Sequence, residues 1–213
     1  MTRRRAATVL GGWWLALLVG VLAVGWLITG PLSSVVEPWD DGVERSIAER
    51  RTPGWDWAAA AGSHLADTIV GVAVAALAAL VLWRWQHTRR PLVYFTVLVG
   101  STLLFYLVVT HLVTRDRPPV KILDPGLVPD HSFPSGHVAT AFVVYVALAV
   151  YLALTVPASR PWVWLLLLVP VVVVPSRLYQ GAHHPTDVAT SVVFATAWVA
   201  VVARVLLGAR RPS

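Results

Sequence analysis

The chain has 213 residues, of which 57% are hydrophobic and only 13% are charged, and its mean hydropathy is +0.68. This composition excludes an ordinary water-soluble domain and is typical of a polytopic membrane protein. The net charge of +6 could suggest a nucleic-acid partner, but the arginines are spread through the connections between apolar runs, which membrane orientation explains better. The absence of cysteine excludes disulfides and thiolate metal sites.

Six apolar segments are long enough to cross the hydrocarbon core of a bilayer, which takes about 20 helical residues. They are residues 9–29, 57–83, 92–113, 137–156, 162–174 extended to about 179, and 186–207. We therefore predict an all-α fold, a bundle of six transmembrane helices. It would form a single membrane-embedded domain over residues 1–213, with its motif-bearing core at about 55–207. The arginine-rich start resembles a signal peptide, but its apolar run is long and lacks a convincing cleavage site, which favours a retained first span.

The charges in the connections orient this bundle. On one side the connections and both ends of the chain hold arginines and no acid, whereas every Asp and Glu falls on the other side or close to it. The arginines of the acid-free side are Arg3, Arg4, Arg5, Arg84, Arg89, Arg90, Arg160, Arg210 and Arg211. Cytoplasmic loops carry the Lys and Arg excess, so both termini are predicted to be cytoplasmic. The charged stretch 37–51, on the outer side, is predicted to be a short interfacial helix with a solvated charged face.

The segment richest in chemistry is residues 176–187, between the last two apolar runs. His183 and Asp187 are four residues apart, about one helical turn, so their side chains can meet on one face of a helix. An aspartate bonded to one imidazole nitrogen leaves the other nitrogen free as a nucleophile or base. Arg177 adds a planar cation suited to phosphate or carboxylate. By itself, the segment also fits an interfacial loop whose polar side chains face headgroups and water.

A second segment, residues 133–137, predicts the start of a helix. Pro134 ends the loop, Ser135 is a favourable N-cap, and Gly136 allows a ligand to approach the backbone closely. The free N–H groups of such a helix start form an anion site. His137 stands one residue further on, where it can donate a proton to a leaving oxygen. Considered alone, an ordinary helix cap with an interfacial histidine is the simpler interpretation.

A third segment, residues 115–119, contributes Arg115 and Arg117. Together with Arg177, a helix start and two histidines, these arginines describe phosphoryl transfer, which depends mostly on positioning and on neutralising charge over the phosphoryl oxygens. The histidines and aspartates could instead bind a divalent metal. Three arginines would repel the cation, so we expect neither a metal nor another cofactor.

These segments resemble the motifs of the type 2 phosphatidic acid phosphatases, integral-membrane lipid phosphatases that share a site with vanadium haloperoxidases. The family pattern is Lys-x6-Arg-Pro, then Pro-Ser-Gly-His, then Ser-Arg-x5-His-x3-Asp. The matching positions are Arg117 and Pro118 for the first element, 134–137 for the second, and Ser176, Arg177, His183 and Asp187 for the third. The lysine of the first element falls on Thr110, which is a departure. Either His111 or Arg115 could replace that cation, or phosphate affinity could be lower.

The resemblance implies that His183 attacks phosphorus to form a phosphohistidine and that Asp187 orients it. It also implies that His137 protonates the leaving group and then activates water, while His184 is a wall residue. The phosphate-binding set that it implies is Arg117, Arg177, Ser135 and Gly136, with Arg115 as a further candidate.

The expected substrate is a lipid phosphate or pyrophosphate that enters from the outer leaflet. A polyprenyl diphosphate, phosphatidylglycerophosphate and phosphatidic acid all fit. Phosphotransfer to another lipid is an open alternative. An anion transporter is a weaker alternative, because its polar cluster would be expected near the bilayer midplane. The sequence does not indicate an oligomeric state.

Two further groups of polar residues have no assigned role in the sequence. His64 and Asp67 share a face of the second apolar segment, where a headgroup contact or a polar pair in the bundle is as consistent as catalysis. Asp124, Asp130 and His131 are expected to be solvated loop residues.

Overall fold

The computed structural model describes residues 2–208, and every regular element among them is helical. We number the helices in chain order: α1 Arg3–Thr29, α2 Ser33–Ala48, α3 Pro53–His64, α4 Thr68–Gln86, α5 Arg90–Leu112, α6 Gly136–Thr155, α7 Val163–Tyr179 and α8 Pro185–Leu206. A π-helical stretch, Phe142–Val146, lies within α6, and a short 3-10 turn, Pro157–Ser159, precedes α7. The predicted all-α class is confirmed for residues 2–208. Arg210 and Arg211 lie outside the described residues.

Five of these helices are long and apolar enough to cross a membrane: α1, α4, α5, α6 and α8. Helix α7 is apolar but shorter. A helix therefore lies in each of the six predicted segments, but the predicted count of six spans is not confirmed.

The second predicted segment, residues 57–83, is not one continuous helix. Helix α3 ends at His64 and α4 begins at Thr68, with Asp67 as its N-cap residue. The Asp67 side chain makes no capping hydrogen bond to α4, and its oxygens lie 2.7 Å from His64 Nδ1 and 2.9 Å from His137 Nε2 instead. The prediction of an unbroken span was therefore wrong, and the break places Asp67 at the same end of the bundle as the three motif segments.

Helix α2 corresponds to the predicted interfacial helix, but its charged face is not solvated as expected. Asp40 and Glu44 are fully buried against the rest of the protein, whereas Val35 and Trp39 are exposed. The helix thus turns acidic side chains inward and apolar side chains outward. In water this would be unfavourable, but beside a bilayer the outward face can lie against lipid.

Aromatic side chains form a core that joins α1, α5 and α8. The rings of Phe105 and Phe194 stack with their centroids 4.2 Å apart, and Trp14 meets Phe105 edge-on. The indole N–H groups of Trp14 and Trp198 both donate to Ser101, at 3.0 and 2.9 Å. Polar groups at membrane depth need partners inside the protein, and Ser101 supplies them here.

Helices α3 and α7 run antiparallel and very close together. The Thr52 N–H, just before α3, donates to the Tyr179 hydroxyl at the end of α7, at 2.9 Å. At the other end of α3, a Cβ added to Gly62 would lie 2.5 Å from Ser176 Oγ and 2.7 Å from Val172 Cγ1. This contact brings the α3–α4 break next to the Ser-Arg segment of α7.

Candidate active site

The Pro-Ser-Gly-His segment forms the helix start that the sequence predicts. Ser135 is the N-cap of α6, and its Oγ accepts from the Val138 N–H at 3.5 Å. A Cβ added to Gly136 would lie 3.1 Å from the Tyr106 ring, so this position has little room for a side chain. The first N–H groups of a helix carry its positive end and suit an anion.

His183 lies in the short loop before α8 and is almost completely buried. Its Nδ1 is 2.6 Å from the carbonyl oxygen of Ser132, so Nδ1 carries the proton because a carbonyl can only accept. This leaves Nε2 with its lone pair. Burial, with Arg177 and Arg117 nearby, lowers the pKa of His183 well below its ordinary 6.5, although Asp187 opposes the shift. The imidazole is therefore neutral and nucleophilic at neutral pH.

Asp187 lies in the first turn of α8 and is fully buried, but it does not hold His183 directly. The nearest approach is 4.0 Å, between Asp187 Oδ2 and His183 Nδ1. Oδ2 instead accepts from the Ser132 hydroxyl at 2.6 Å and from the His184 N–H at 2.9 Å. Ser132 therefore links the carboxylate to His183, because its hydroxyl binds Asp187 while its carbonyl accepts from the imidazole.

Arg115 is bound to carboxylates of the protein, one of which is Asp187. Its guanidinium donates to Asp187 Oδ1 at 2.5 Å and to Asp40 Oδ2 at 2.7 Å, and also to the Thr186 hydroxyl at 2.8 Å. Burial opposes the charged form, but the two carboxylates raise the pKa of Arg115 above its ordinary value. The predicted contact of Arg115 with phosphate stays a prediction, since all these bonds are to protein groups.

Arg177 is fully buried, and only part of its guanidinium is occupied. Its Nη1 donates to Ser63 Oγ at 2.5 Å, to Asp124 Oδ2 at 2.7 Å and to Gln180 Oε1 at 2.9 Å. Its Nε and Nη2 are buried and have no hydrogen-bond partner among the described residues. Buried donors are ordinarily paired, so this free edge calls for an acceptor that comes with a ligand.

Arg117 is held near His183 by backbone carbonyls. Its guanidinium donates to Ala182 O, to Val128 O at 2.8 Å and to His131 O at 3.1 Å. Burial, with Arg177 nearby, lowers its pKa from the ordinary value. Two arginines that disfavour each other's charge beside a neutral histidine indicate an anion site.

His137, the second residue of α6, is bound to Asp67, whose sequence context fitted a headgroup contact, a polar pair or catalysis equally. Its Nε2 lies 2.9 Å from Asp67 Oδ1, and His64 Nδ1 lies 2.7 Å from Asp67 Oδ2. The charged groups that act electrostatically on His137 include Arg177, Asp67 and Asp124. Asp124 was expected to be a solvated loop residue, and its ion pair with Arg177 corrects that expectation.

Thr110, which stands where the family has lysine, makes its side-chain hydrogen bonds within its own helix. Thr110 is buried in α5, and its hydroxyl returns to the Tyr106 and Leu107 carbonyls at 2.9 and 3.2 Å. His111 is exposed, and its Nδ1 lies 2.8 Å from the Leu107 carbonyl oxygen. Of the two candidates to replace the family's lysine, His111 is thus turned to the surface, and Arg115 is bound to carboxylates.

Two site residues, Asp40 and Ser132, escaped the sequence reasoning, and a third, Asp67, was singled out without an assigned role. Asp40 and Asp67 each lie far along the chain from their partners, and no local spacing links them. Ser132 did offer a signal, because it is a small polar residue directly before the Phe-Pro-Ser-Gly-His segment.

Known proteins resemble this chain in both sequence and fold. Residues 90–211 match the family model of the PAP2 superfamily. Over 122 residues the chain is 31% identical to an Escherichia coli (strain K12) protein named "Putative undecaprenyl-diphosphatase YbjG", and the match covers 54% of this chain and 58% of that protein. The match thus spans less than two thirds of that relative's length.

The fold is similar to the crystal structure of the first transmembrane PAP2 type phosphatidylglycerolphosphate phosphatase from Bacillus subtilis. The TM-score is 0.77 at 21% identity, over 89% of this chain and 93% of that one. Five helices in the described residues are long and apolar enough to cross a membrane, and the chain is a multi-pass membrane protein. The family model covers more than half of the sequence and includes all three motif segments. The chain therefore belongs to the PAP2 superfamily.

Proposed function

We propose that this protein is a membrane lipid phosphatase that hydrolyses a lipid phosphate or pyrophosphate through a phosphohistidine on His183. The observation that carries the proposal is the free edge of Arg177. Its two buried donors have no hydrogen-bond partner among residues 2–208, and the charge of this guanidinium acts on the neutral His183. A phosphate oxygen would satisfy those donors and bring phosphorus to the nucleophile.

In the first step, Nε2 of His183 forms a bond to phosphorus while the bond from phosphorus to the leaving oxygen breaks. His137 gives its proton to that oxygen. In the second step, the neutral His137 takes a proton from water, the water oxygen attacks phosphorus, and the bond to His183 breaks. The imidazolium that forms on His183 during attack is steadied by the Ser132 carbonyl and, through the Ser132 hydroxyl, by Asp187.

The charge of the phosphoryl group would be neutralised by protein groups alone. Arg177 offers its free edge, Arg117 adds a second cation, and the amides at Ser135 and Gly136 add dipoles that are already oriented. These groups do what a divalent cation does in other phosphoryl-transfer sites. We therefore propose a metal-independent reaction.

The proposed substrate is a phosphorylated membrane lipid. The names of the two similar proteins refer to an undecaprenyl diphosphate and to phosphatidylglycerolphosphate. Both substrates carry a phosphate group on a lipid, and polyprenyl diphosphate, phosphatidylglycerophosphate and phosphatidic acid stay as candidates here.

We further propose that the whole chain forms one domain in the cell membrane, with both termini cytoplasmic and the site extracytoplasmic. The support is the acid-free arginine connections on one side, including Arg84, Arg89 and Arg160. The motif segments lie at the opposite ends of the same helices.

The test is phosphate release by the purified protein from a panel of lipid phosphates and diphosphates, in EDTA. The wild type should release phosphate and should carry acid-labile phosphate after a brief exposure to substrate. His183→Ala should lose both, whereas His111→Ala, a change at an exposed histidine, should keep both. Release that requires an added metal, or that survives His183→Ala, would contradict the proposal.

A further inference from the structure

The break between α3 and α4 brings a carboxylate to the acid–base histidine of the site. Asp67 Oδ1 is 2.9 Å from His137 Nε2, across 70 residues of sequence. The second oxygen, Oδ2, is 2.7 Å from His64 Nδ1. The His64 side chain is 74% exposed and that of His137 only 19%, so Asp67 lies between a surface histidine and a largely buried one.

This hydrogen bond decides which nitrogen of His137 can exchange a proton with substrate. A carboxylate accepts, so Nε2 carries a proton in both charge states of the ring. The other nitrogen, Nδ1, is then the one that gains and loses the catalytic proton.

The same contact supplies a countercharge where one is needed. In the first step His137 must be an imidazolium, yet the buried Arg177 is near and disfavours a second cation. Asp67 and Asp124 are acidic groups whose charges act on His137, and among the described residues Asp67 is its side-chain hydrogen-bond partner. Partial burial would raise the pKa of Asp67, but the bonds to His64 and His137 hold it below its ordinary value, so the carboxylate is ionised.

We propose that Asp67 is the positioning residue of His137: it fixes the ring with Nε2 protonated, directs Nδ1 to the leaving oxygen and stabilises the imidazolium. The inference rests on the proposed function, in which His137 is the acid and then the base. Asp67 itself exchanges no proton with the substrate. It acts through His137 in both steps.

The test compares Asp67→Asn with wild type in the pH profile of kcat/KM. Asparagine keeps the shape but lacks the charge, and its amide N–H can donate to Nε2 and favour the wrong tautomer. We expect kcat/KM for a lipid monoester to fall about tenfold to a hundredfold, part of the usual contribution of a general acid. The alkaline limb should move to lower pH, because the imidazolium loses its countercharge. An aryl phosphate with an activated leaving group should lose less in phosphoenzyme formation.

Asp130→Asn is the matched control, since Asp130 is an exposed loop carboxylate, and it should keep the wild-type profile. Asp67→Glu keeps the charge, and it tests the role of Asp67 if Asp67→Asn does not fold. It should keep the alkaline limb in place while lowering kcat. An unmoved limb in a folded Asp67→Asn, or an unchanged kcat in Asp67→Glu, would overturn the inference.

The two levels of proposal fail differently. If the wild type forms no phosphoenzyme, or if His137→Ala keeps full turnover of the monoester, the proposed function is wrong. If the wild type forms a phosphoenzyme and His137→Ala loses turnover, but Asp67→Asn behaves like wild type, only the role of Asp67 is wrong.

Discussion

The free edge of Arg177 gives a sharp prediction for Arg177→Lys. In the structure Nη1 already contacts three protein acceptors, on Ser63, Asp124 and Gln180, and the edge formed by Nε and Nη2 has no hydrogen-bond partner in the described part of the chain. A lysine ammonium has three donors. The substitution keeps the charge, but its donors would be taken by the same three acceptors, and nothing would be left for phosphate.

The expected loss follows from counting the donors that disappear. Two charge-assisted hydrogen bonds to the phosphoryl group are removed, each worth about 1.5–3 kcal/mol. Together they amount to about 3–6 kcal/mol, and a factor of ten in rate corresponds to about 1.4 kcal/mol. We therefore expect kcat/KM to fall by about 10²- to 10⁴-fold. A lysine that worked only as a point charge would lose far less.

The assay is phosphate release in detergent micelles or vesicles, with thermal unfolding as a check on folding. Arg160→Lys is the matched control, because Arg160 lies in the exposed turn before α7 and donates to the Ala153 carbonyl. It should keep wild-type kinetics. A loss of less than tenfold in a folded Arg177→Lys would refute the reasoning, since it would mean that the free edge does not bind the phosphoryl group.

Three other predictions follow from features around the site. Burial raises the pKa of Glu44 from 4.5 to about 8, so its folded form retains a proton that the unfolded chain has lost. Stability should therefore fall as pH rises from about 4.5 to 8, and Glu44→Gln, but not Glu37→Gln, should flatten this trend in Tm. Gly181 has φ +67°, and an added Cβ would lie 2.7 Å from Val120 Cγ2. Gly181→Ala should cost about 1–2 kcal/mol from the backbone alone and lower kcat; unchanged Tm and kcat would contradict this. A reporter fused within residues 124–130 should be extracytoplasmic and one fused after the last residue cytoplasmic; the opposite result at 124–130 would reverse the topology.

Much of the fold could be predicted from the sequence because long apolar runs and helix caps are local signals. The start of α6 at Gly136, with Ser135 as its N-cap, is one such case. The break near Asp67 could not be predicted in this way. Its flanks are apolar, so hydropathy averaged over a span hides one aspartate, and the site residue to which that aspartate bonds, His137, is 70 positions away.

The candidate site was predictable in composition but not in connectivity. His183 and Asp187 were expected to meet because they are four apart on a helix. Helix α8, however, begins at Pro185, with His184 as its N-cap residue. His183 therefore lies outside the helix, where helical spacing does not apply. Asp187 accepts from the His184 N–H in a capping box, and the Ser132 carbonyl takes the place at Nδ1 that was expected for Asp187.

The charges at the site also explain why the chain tolerates threonine at position 110, where the family has lysine. Arg115 is shared by two carboxylates and Arg177 is paired with Asp124, whereas the hydrogen bonds of Arg117 go to carbonyls. Arg117 is partly buried, and its charge has no carboxylate hydrogen-bond partner among the described residues, which destabilises the ligand-free protein. A phosphate group that binds there relieves this repulsion. A lysine at position 110 would add another cation near the end of α5, the helix that leads into the segment with Arg115 and Arg117. With Thr110 the empty site carries less repulsion, and for the same reason less of it can be released on binding, so we expect phosphate affinity to be lower while the steps at His183 and His137 are kept.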